Sequence, residues 1–320
     1  MMPATAVRIM PQPPSKKPIL IAGPTASGKS GLALSLASKL NGVVINADSM
    51  QVYRELRVLT ARPSPEDEAT VPHALYGHVA GSEAYSTGRY ARDAATAIAD
   101  ARANNCVPII VGGTGLYFKA LLEGLSPIPD IPDDVRSKWR GLAAEHGALA
   151  LWQMLSERDP VMAGRLDPND TQRLTRAHEV MEATGRSLAL WQEEPGLPVL
   201  AEKDTVRLLV LPEREELRQR CDRRFDVMME SGALDEVGAL GVLNLASDLP
   251  VMRALGVKPL LQLIRGELSQ TAAVEQAKAE TRQYVKRQET WLRRNMTAWK
   301  HISTQEMQSI NDKIVSFIDS

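Results

Sequence analysis

Short apolar runs alternate along the chain with stretches whose hydrophobic residues recur at helical spacing. The first run, Pro18-Ile19-Leu20-Ile21-Ala22, is continuous, as in a strand buried on both faces of a parallel sheet. From Lys29 the pattern turns helical: Leu32, Leu36 and Leu40 share one face, and Asn41-Gly42 supplies a stop. Val43-Val44-Ile45-Asn46-Ala47 reads as a second strand. After a polar stretch, Ser86 or Thr87 is placed to cap a helix running to about Arg102, which leads into a third strand at Val107-Pro108-Ile109-Ile110-Val111. A later apolar run, Val206 to Leu211, reads as a return to the same sheet. Parallel strands need crossover helices, and those crossovers are right-handed, so the alternation predicts a doubly wound α/β fold.

The proline-rich segment Ser126-Pro127-Ile128-Pro129-Asp130-Ile131-Pro132 interrupts this pattern and predicts a hinge. From Asp133 to Leu190 the spacing is helical with no strand, and beyond Leu211 the chain to about Lys300 reads as mostly helical. The expected organisation is a flexible leader over 1–17, a core of 18–128 and 205–302, a helical insertion over 129–204, and a tail over 303–320.

Composition narrows the class without choosing a function. With 44% hydrophobic and 24% charged residues in 320, the chain is neither disordered nor fibrous. A net charge of -1 neither supports nor excludes RNA, so a nucleic-acid partner has to be argued from local basic segments. Cys106 and Cys221 have no neighbouring cysteine, and His73 and His78 have no cysteine partner, which points to structural thiols and no metal cluster. The leader lacks the apolar stretch of a signal peptide, and no segment reaches the length of a membrane span. A cytoplasmic monomer is expected.

The chemistry starts at Gly23-Pro24-Thr25-Ala26-Ser27-Gly28-Lys29-Ser30, which matches the phosphate-loop pattern G-x-x-x-x-G-K-[ST] between a predicted strand and helix. Its amides and the helix N-terminus suit the charge of a diphosphate, Lys29 adds a cation, and Ser30 is placed to hold magnesium. The loop by itself leaves open whose phosphates they are. Asp48 follows the second strand, at the sheet edge where such folds bind ligands, and fits a general base, a magnesium ligand or a helix cap. Gly112-Gly113-Thr114-Gly115 is a second glycine-rich turn at that edge, equally able to end a strand. Arg173 and Arg176 share a helix face, as do Arg220 and Arg224, and each pair suits a phosphate or a solvated surface. The segment Thr281 to Arg294 is rich in bases, with Tyr284 and Trp291 interleaved, and reads as an RNA-facing helix or a hydrated one.

Taken together, these segments resemble the bacterial tRNA dimethylallyltransferase family, also called tRNA isopentenyltransferase, over about Pro18 to Lys300. The resemblance is carried by GPTASGKS at Gly23, ADSMQVY at Ala47, Thr60-Ala61-Arg62-Pro63, Pro72-His73, VGGTGLYFKALLEGL at Val111, Asp170 to Arg176, and TRQYVKRQETWLR at Thr281. It implies a core related to phosphate-loop kinases with a helical tRNA-binding insertion. It also implies transfer of a dimethylallyl group from dimethylallyl diphosphate to the exocyclic amine of the adenine at position 37, beside the anticodon, with magnesium and release of diphosphate. The resemblance makes Thr25 to Ser30 diphosphate ligands, Asp48 the base, and Asp48, Ser49, Met50 and Gln51 the lining of the adenine pocket. Thr114, Arg136, Gln172, Arg173, Leu174, Thr175 and Arg176 match tRNA contacts, and Arg224 matches a diphosphate contact. Arg282, Lys286 and Arg287 are the bases expected to grip RNA.

Two positions depart from the family pattern: Val257 stands where an aromatic is usual, and Arg62 where lysine is usual. The cysteine- and histidine-bearing extension of eukaryotic relatives is missing, so no zinc is expected. The competing readings are a phosphate-loop kinase, a prenyltransferase acting on free adenosine phosphates, and a non-catalytic binding module.

Overall fold

A computed structural model describes residues 17–303 and Glu306, so the expected leader up to residue 16 and most of the expected tail lie outside the described residues. Strands are β1 (Ile19–Ala22), β2 (Gly42–Asn46), β3 (His73–Ala74), β4 (Val107–Gly112), β5 (Val206–Val210) and β6 (Lys300–Ile302). The first helices are α1 (Lys29–Leu40), α2 (Pro65–Thr70), α3 (Thr87–Ala103) and α4 (Gly115–Leu122). They are followed by α5 (Asp133–Arg158), α6 (Pro160–Ala163), α7 (Thr171–Thr184) and α8 (Leu188–Trp191). After β5 come α9 (Arg214–Glu230), α10 (Ala233–Val242), α11 (Val257–Ile264) and α12 (Gln270–Asn295).

The six strands form one sheet in the order β3-β2-β4-β1-β5-β6, with every pair parallel. Residues alternate between its faces. Ile19, Ile21, Val44, Ile109 and Leu208 pack against Leu32, Leu36 and Leu40 of α1. Leu20, Ile45, Ile110 and Leu209 turn the other way and are fully buried, on the side where α3 crosses β2 and β4. Helices on both faces make this the doubly wound α/β fold that the apolar runs predict. Two strands escaped that reading. β3 and β6 are edge strands of two and three residues, too short and polar to stand out as apolar runs.

Helix ends follow local chemistry. Ser86 is the N-cap of α3 and accepts from the Arg89 amide at 3.1 Å, while Asn41 closes α1 in the left-handed conformation at φ 52°.

The chain divides into two compact units, one made of the sheet with its helices, the other spanning Glu123–Val199. The division falls ahead of the proline-rich stretch because the returning chain joins the sheet unit at Leu200, whose amide donates to the Leu121 carbonyl at 2.9 Å. The second unit is helical. α5, kinked at Gly147, packs against α7 around Leu151, Leu155, Leu174, Val180 and Leu188. Asp159 caps α6 through the Met162 amide and accepts the Ser187 hydroxyl at 2.6 Å, tying α6 to α8. Among the described residues no helix is long and apolar enough to cross a membrane.

Candidate active site

The strand order reverses between β1 and β4: the chain leaves β1 toward β2 on one side and later continues from β4 to β5 on the other. At such a switch point the loops beyond the carboxyl ends of the strands part and leave a crevice. Three of the motifs lie there: the loop after β1, Asp48 after β2, and Gly113-Thr114 after β4.

The loop after β1 is held in a phosphate-binding shape by two left-handed residues, Ala26 (φ 63°) and Gly28 (φ 92°). Gly28 is the N-cap of α1 and offers no side-chain cap, so the first amides of a 12-residue helix are left for an anion. Lys29 reaches back across the loop to donate to the Pro24 carbonyl at 3.1 Å. The hydroxyl of Ser27 is buried with no hydrogen-bond partner, and Ser30 is exposed on the first helical turn.

Burial lowers the Lys29 pKa to about 8, with the Asp48 carboxylate opposing that shift and the Arg224 guanidinium adding to it. Arg224, on α9, is itself lowered by burial, against the pull of Cys221 and Asp48. Among the described residues neither Lys29 nor Arg224 has an ion-pair partner. Lys29 and Arg224 are thus within electrostatic reach of the Asp48 carboxylate. Cys221, buried beside them 3.9 Å from the Thr25 carbonyl, has its thiol pushed up to about 11 by burial.

Asp48 is fixed by its neighbours. Its amide donates to Asn46 Oδ1 at 2.8 Å, Asn46 Nδ2 donates to the Asp48 and Leu75 carbonyls, and its own Oδ1 accepts from the Met50 amide at 2.9 Å. That last bond closes a local turn, and no helix follows, so the helix-cap reading of Asp48 falls away. The Ser49 amide donates to Thr114 Oγ1 at 3.0 Å, which joins the β2 and β4 loops. Gln51 spends both amide hydrogens on the Thr60 and Ala61 carbonyls, which leaves its Oε1 as an acceptor. Tyr76, Tyr117 and Tyr284 all feel the Asp48 charge; burial first, and that charge second, hold all three phenols neutral well above their ordinary range.

The basic helix divides differently from its composition. Lys286 and Arg287 are exposed, the Arg287 guanidinium lying 5.7 Å over Tyr284. Arg282 is held by Asp222 of α9 at 2.7 Å, because α9 packs along α12. The Trp291 ring lies against Gly115. Arg220 is engaged by Glu216 at 2.6 Å, so of that pair only Arg224 joins the site.

In the helical unit, Gln172 and Arg173 are exposed, and Arg173 pairs with Asp170, the cap of α7, at 3.3 Å. Arg176 pairs with Glu179 at 3.3 Å, and Arg136 Nε donates to the Ile131 carbonyl. Leu174 and Thr175 are corrections as tRNA contacts. Leu174 is core at 0% exposure, and Thr175 is buried with its hydroxyl on the Thr171 carbonyl at 2.7 Å. The two departures from the family pattern also have places. Val257 is buried at the start of α11, and Arg62 donates to the Tyr53 and Arg54 carbonyls beneath Gly77.

The sequence profile of the IPP transferase family matches residues 51–295, and that of isopentenyl transferases matches residues 17–72. The chain belongs to the IPP transferase family. It is 53% identical to the tRNA dimethylallyltransferase of Parvibaculum lavamentivorans, over 96% of this chain and 97% of the relative. With the enzyme of the same name from Azorhizobium caulinodans it shares 53% identity over 88% of this chain and 90% of that one. Among solved structures, the tRNA isopentenylpyrophosphate transferase of Bacillus halodurans superposes with a TM-score of 0.68 at 30% identity, covering 95% of this chain and 97% of that one. A eukaryotic dimethylallyltransferase acting on tRNA superposes with a TM-score of 0.73 at 33% identity, covering 87% and 70%. The cradle after β1 belongs to a family of prenyl-group transferases, although its pattern is shared with kinases.

Proposed function

We propose that this protein transfers the dimethylallyl group of dimethylallyl diphosphate to the exocyclic amine of adenine 37 in tRNA and releases diphosphate. The observation that carries the reading is the electrostatic grouping of Lys29 and Arg224, two cations with no ion-pair partner among the described residues, with the Asp48 carboxylate at one sheet edge. The cations and the α1 amides suit a diphosphate, and the carboxylate suits an acceptor that must lose a proton.

An adenine amine is a weak nucleophile because its lone pair is delocalised into the ring. Asp48 accepts a proton as the nitrogen attacks the allylic carbon, help worth about 10² to 10⁴ in rate. The carbon–oxygen bond breaks as the nitrogen–carbon bond forms, and its electron pair leaves on the diphosphate. Lys29, Arg224 and the loop amides stabilise that charge where it develops.

The donor set also fits magnesium. Among the described residues no group of three or more His, Cys, Asp or Glu side chains could hold a metal ion. Magnesium here would therefore rest on the Ser30 hydroxyl and on diphosphate oxygens, the substrate-completed oxygen coordination this ion favours. When bound it neutralises part of the leaving charge.

On the acceptor side, Lys286, Arg287, Arg173 and Arg176 offer phosphate contacts. The Arg173–Asp170 pair is largely exposed and such a pair contributes little, so Arg173 is free to turn to phosphate, whereas the partner of Arg176, Glu179, is buried. An unpaired loop base is extruded at lower cost than one in a duplex, which suits an anticodon-loop target. The test is incubation with labelled dimethylallyl diphosphate, magnesium and bulk tRNA, followed by digestion to nucleosides. Label on N6-dimethylallyladenosine supports the reading. Phosphate transfer from ATP in place of label transfer would return the loop to a kinase.

A further inference from the structure

Gln288 is a buried side chain on α12, 6% exposed, in a segment whose composition suggests a hydrated basic face. Both ends of its amide are committed to backbone. Oε1 accepts from the Thr25 amide in the loop after β1, and Nε2 donates to the Gly113 carbonyl in the loop after β4, each at 3.0 Å. These partners fix which way the amide points, since Thr25 N–H can only donate and the Gly113 carbonyl can only accept. The Gly113 loop in turn continues to Thr114, whose hydroxyl accepts from the Ser49 amide beside Asp48. One side chain therefore links the phosphate cradle to the loop that places the carboxylate.

The fit around Gln288 leaves little slack. A Cβ at Gly113 would overlap the Gln288 amide nitrogen, and one at Gly115 would overlap the Trp291 ring. Gln288 and Trp291, three apart on one helix face, close over the β4 loop as a pair. The Thr25 amide is also accounted for by Gln288, so it is not one of the groups available to phosphate.

We propose that Gln288 is a positioning residue for the transfer reaction: it holds the diphosphate cradle and the Asp48–Thr114 side of the site in register, touching neither substrate. The proposal rests on the dimethylallyl-transfer reading given above. It predicts a particular split between rate and affinity. Removing the link leaves Lys29, Arg224, the α1 amides and Asp48 in place, so each substrate still binds. What is lost is the alignment of allylic carbon, amine and base, and a displacement of about 1 Å can lower a rate by about 10²-fold.

The experiment compares wild-type protein with Gln288→Met, which keeps the length and loses both hydrogen bonds, and Gln288→Asn, which keeps the amide but is too short to span both partners. Single-turnover transfer to tRNA is measured beside the Kd of dimethylallyl diphosphate, the Kd of tRNA and the thermal midpoint. The expected result is a rate lowered about 10- to 100-fold in both variants with each Kd within about threefold of wild type. Should Gln288→Met fail to fold, Gln288→Asn carries the comparison. A folded variant with an unimpaired rate, or one whose loss is wholly explained by weaker binding, overturns the proposal while leaving the transfer reading intact. Wild-type protein that transfers nothing to tRNA overturns that reading, and this proposal with it.

Discussion

Replacing Lys29 with methionine should stabilise the unliganded protein while disabling it. Burial lowers the Lys29 pKa from 10.5 to about 8. Between those values the unfolded chain binds a proton that the folded chain does not, so wild-type stability rises as pH climbs from about 8 to 10.5. Below about 8 the lysine is charged in both states and the full cost is present. That gap corresponds to about 3 kcal/mol. Methionine removes the cost together with the hydrogen bond to the Pro24 carbonyl, worth about 1 kcal/mol, so the variant should be more stable by about 2 kcal/mol at pH 7. Urea denaturation at pH 7 and pH 10 measures this directly. The advantage should shrink at pH 10, and added inorganic diphosphate should stabilise wild type more than the variant, because ligand binding to the folded state adds stability by mass action. A variant less stable than wild type at pH 7, or an advantage equal at both pH values, refutes the reasoning.

Asp48→Ala should lower single-turnover transfer by about 10² to 10⁴ while tRNA binding, followed by a direct isotherm, stays near wild type. Arg224→Ala should weaken dimethylallyl diphosphate binding about 10-fold or more in a titration, since a charge-assisted contact is lost from a half-buried position. The affinity for tRNA should fall steeply with salt, and Lys286→Ala with Arg287→Ala should flatten that log-log slope by about 0.7 to 0.9 per contact. Arg282→Ala should leave the slope nearly unchanged and lower the thermal midpoint instead, because its partner is Asp222.

The central strands and the phosphate cradle are legible in the sequence because each is a local pattern. A strand buried on both faces reads as a mostly apolar run, as β1, β2, β4 and β5 do, and a loop of this pattern favours glycine where the backbone turns left-handed, as at Gly28. Asp48 is legible by its place after a strand. What the sequence hides is long-range. Gln288 sits among bases and looks hydrated, and only a contact with Thr25, 263 residues away, reveals it as buried. Arg282 reads as an unpartnered base, and only the packing of α9 on α12 supplies Asp222. Leu174 belongs to a contiguous stretch that matches tRNA contacts by resemblance, yet a helix turns about 100° per residue, so part of any such stretch has to face the core, as Leu174 does.

The most direct test of the account is a rate comparison among three acceptors: an anticodon stem-loop with adenosine at position 37, the same stem-loop with guanosine there, and AMP. Each is supplied with dimethylallyl diphosphate and magnesium at equal concentration. The account predicts rapid transfer to the first and little or none to the other two, because RNA phosphate contacts deliver the base and Asp48 accepts the proton of its amine. Efficient prenylation of AMP with the stem-loop ignored would contradict it.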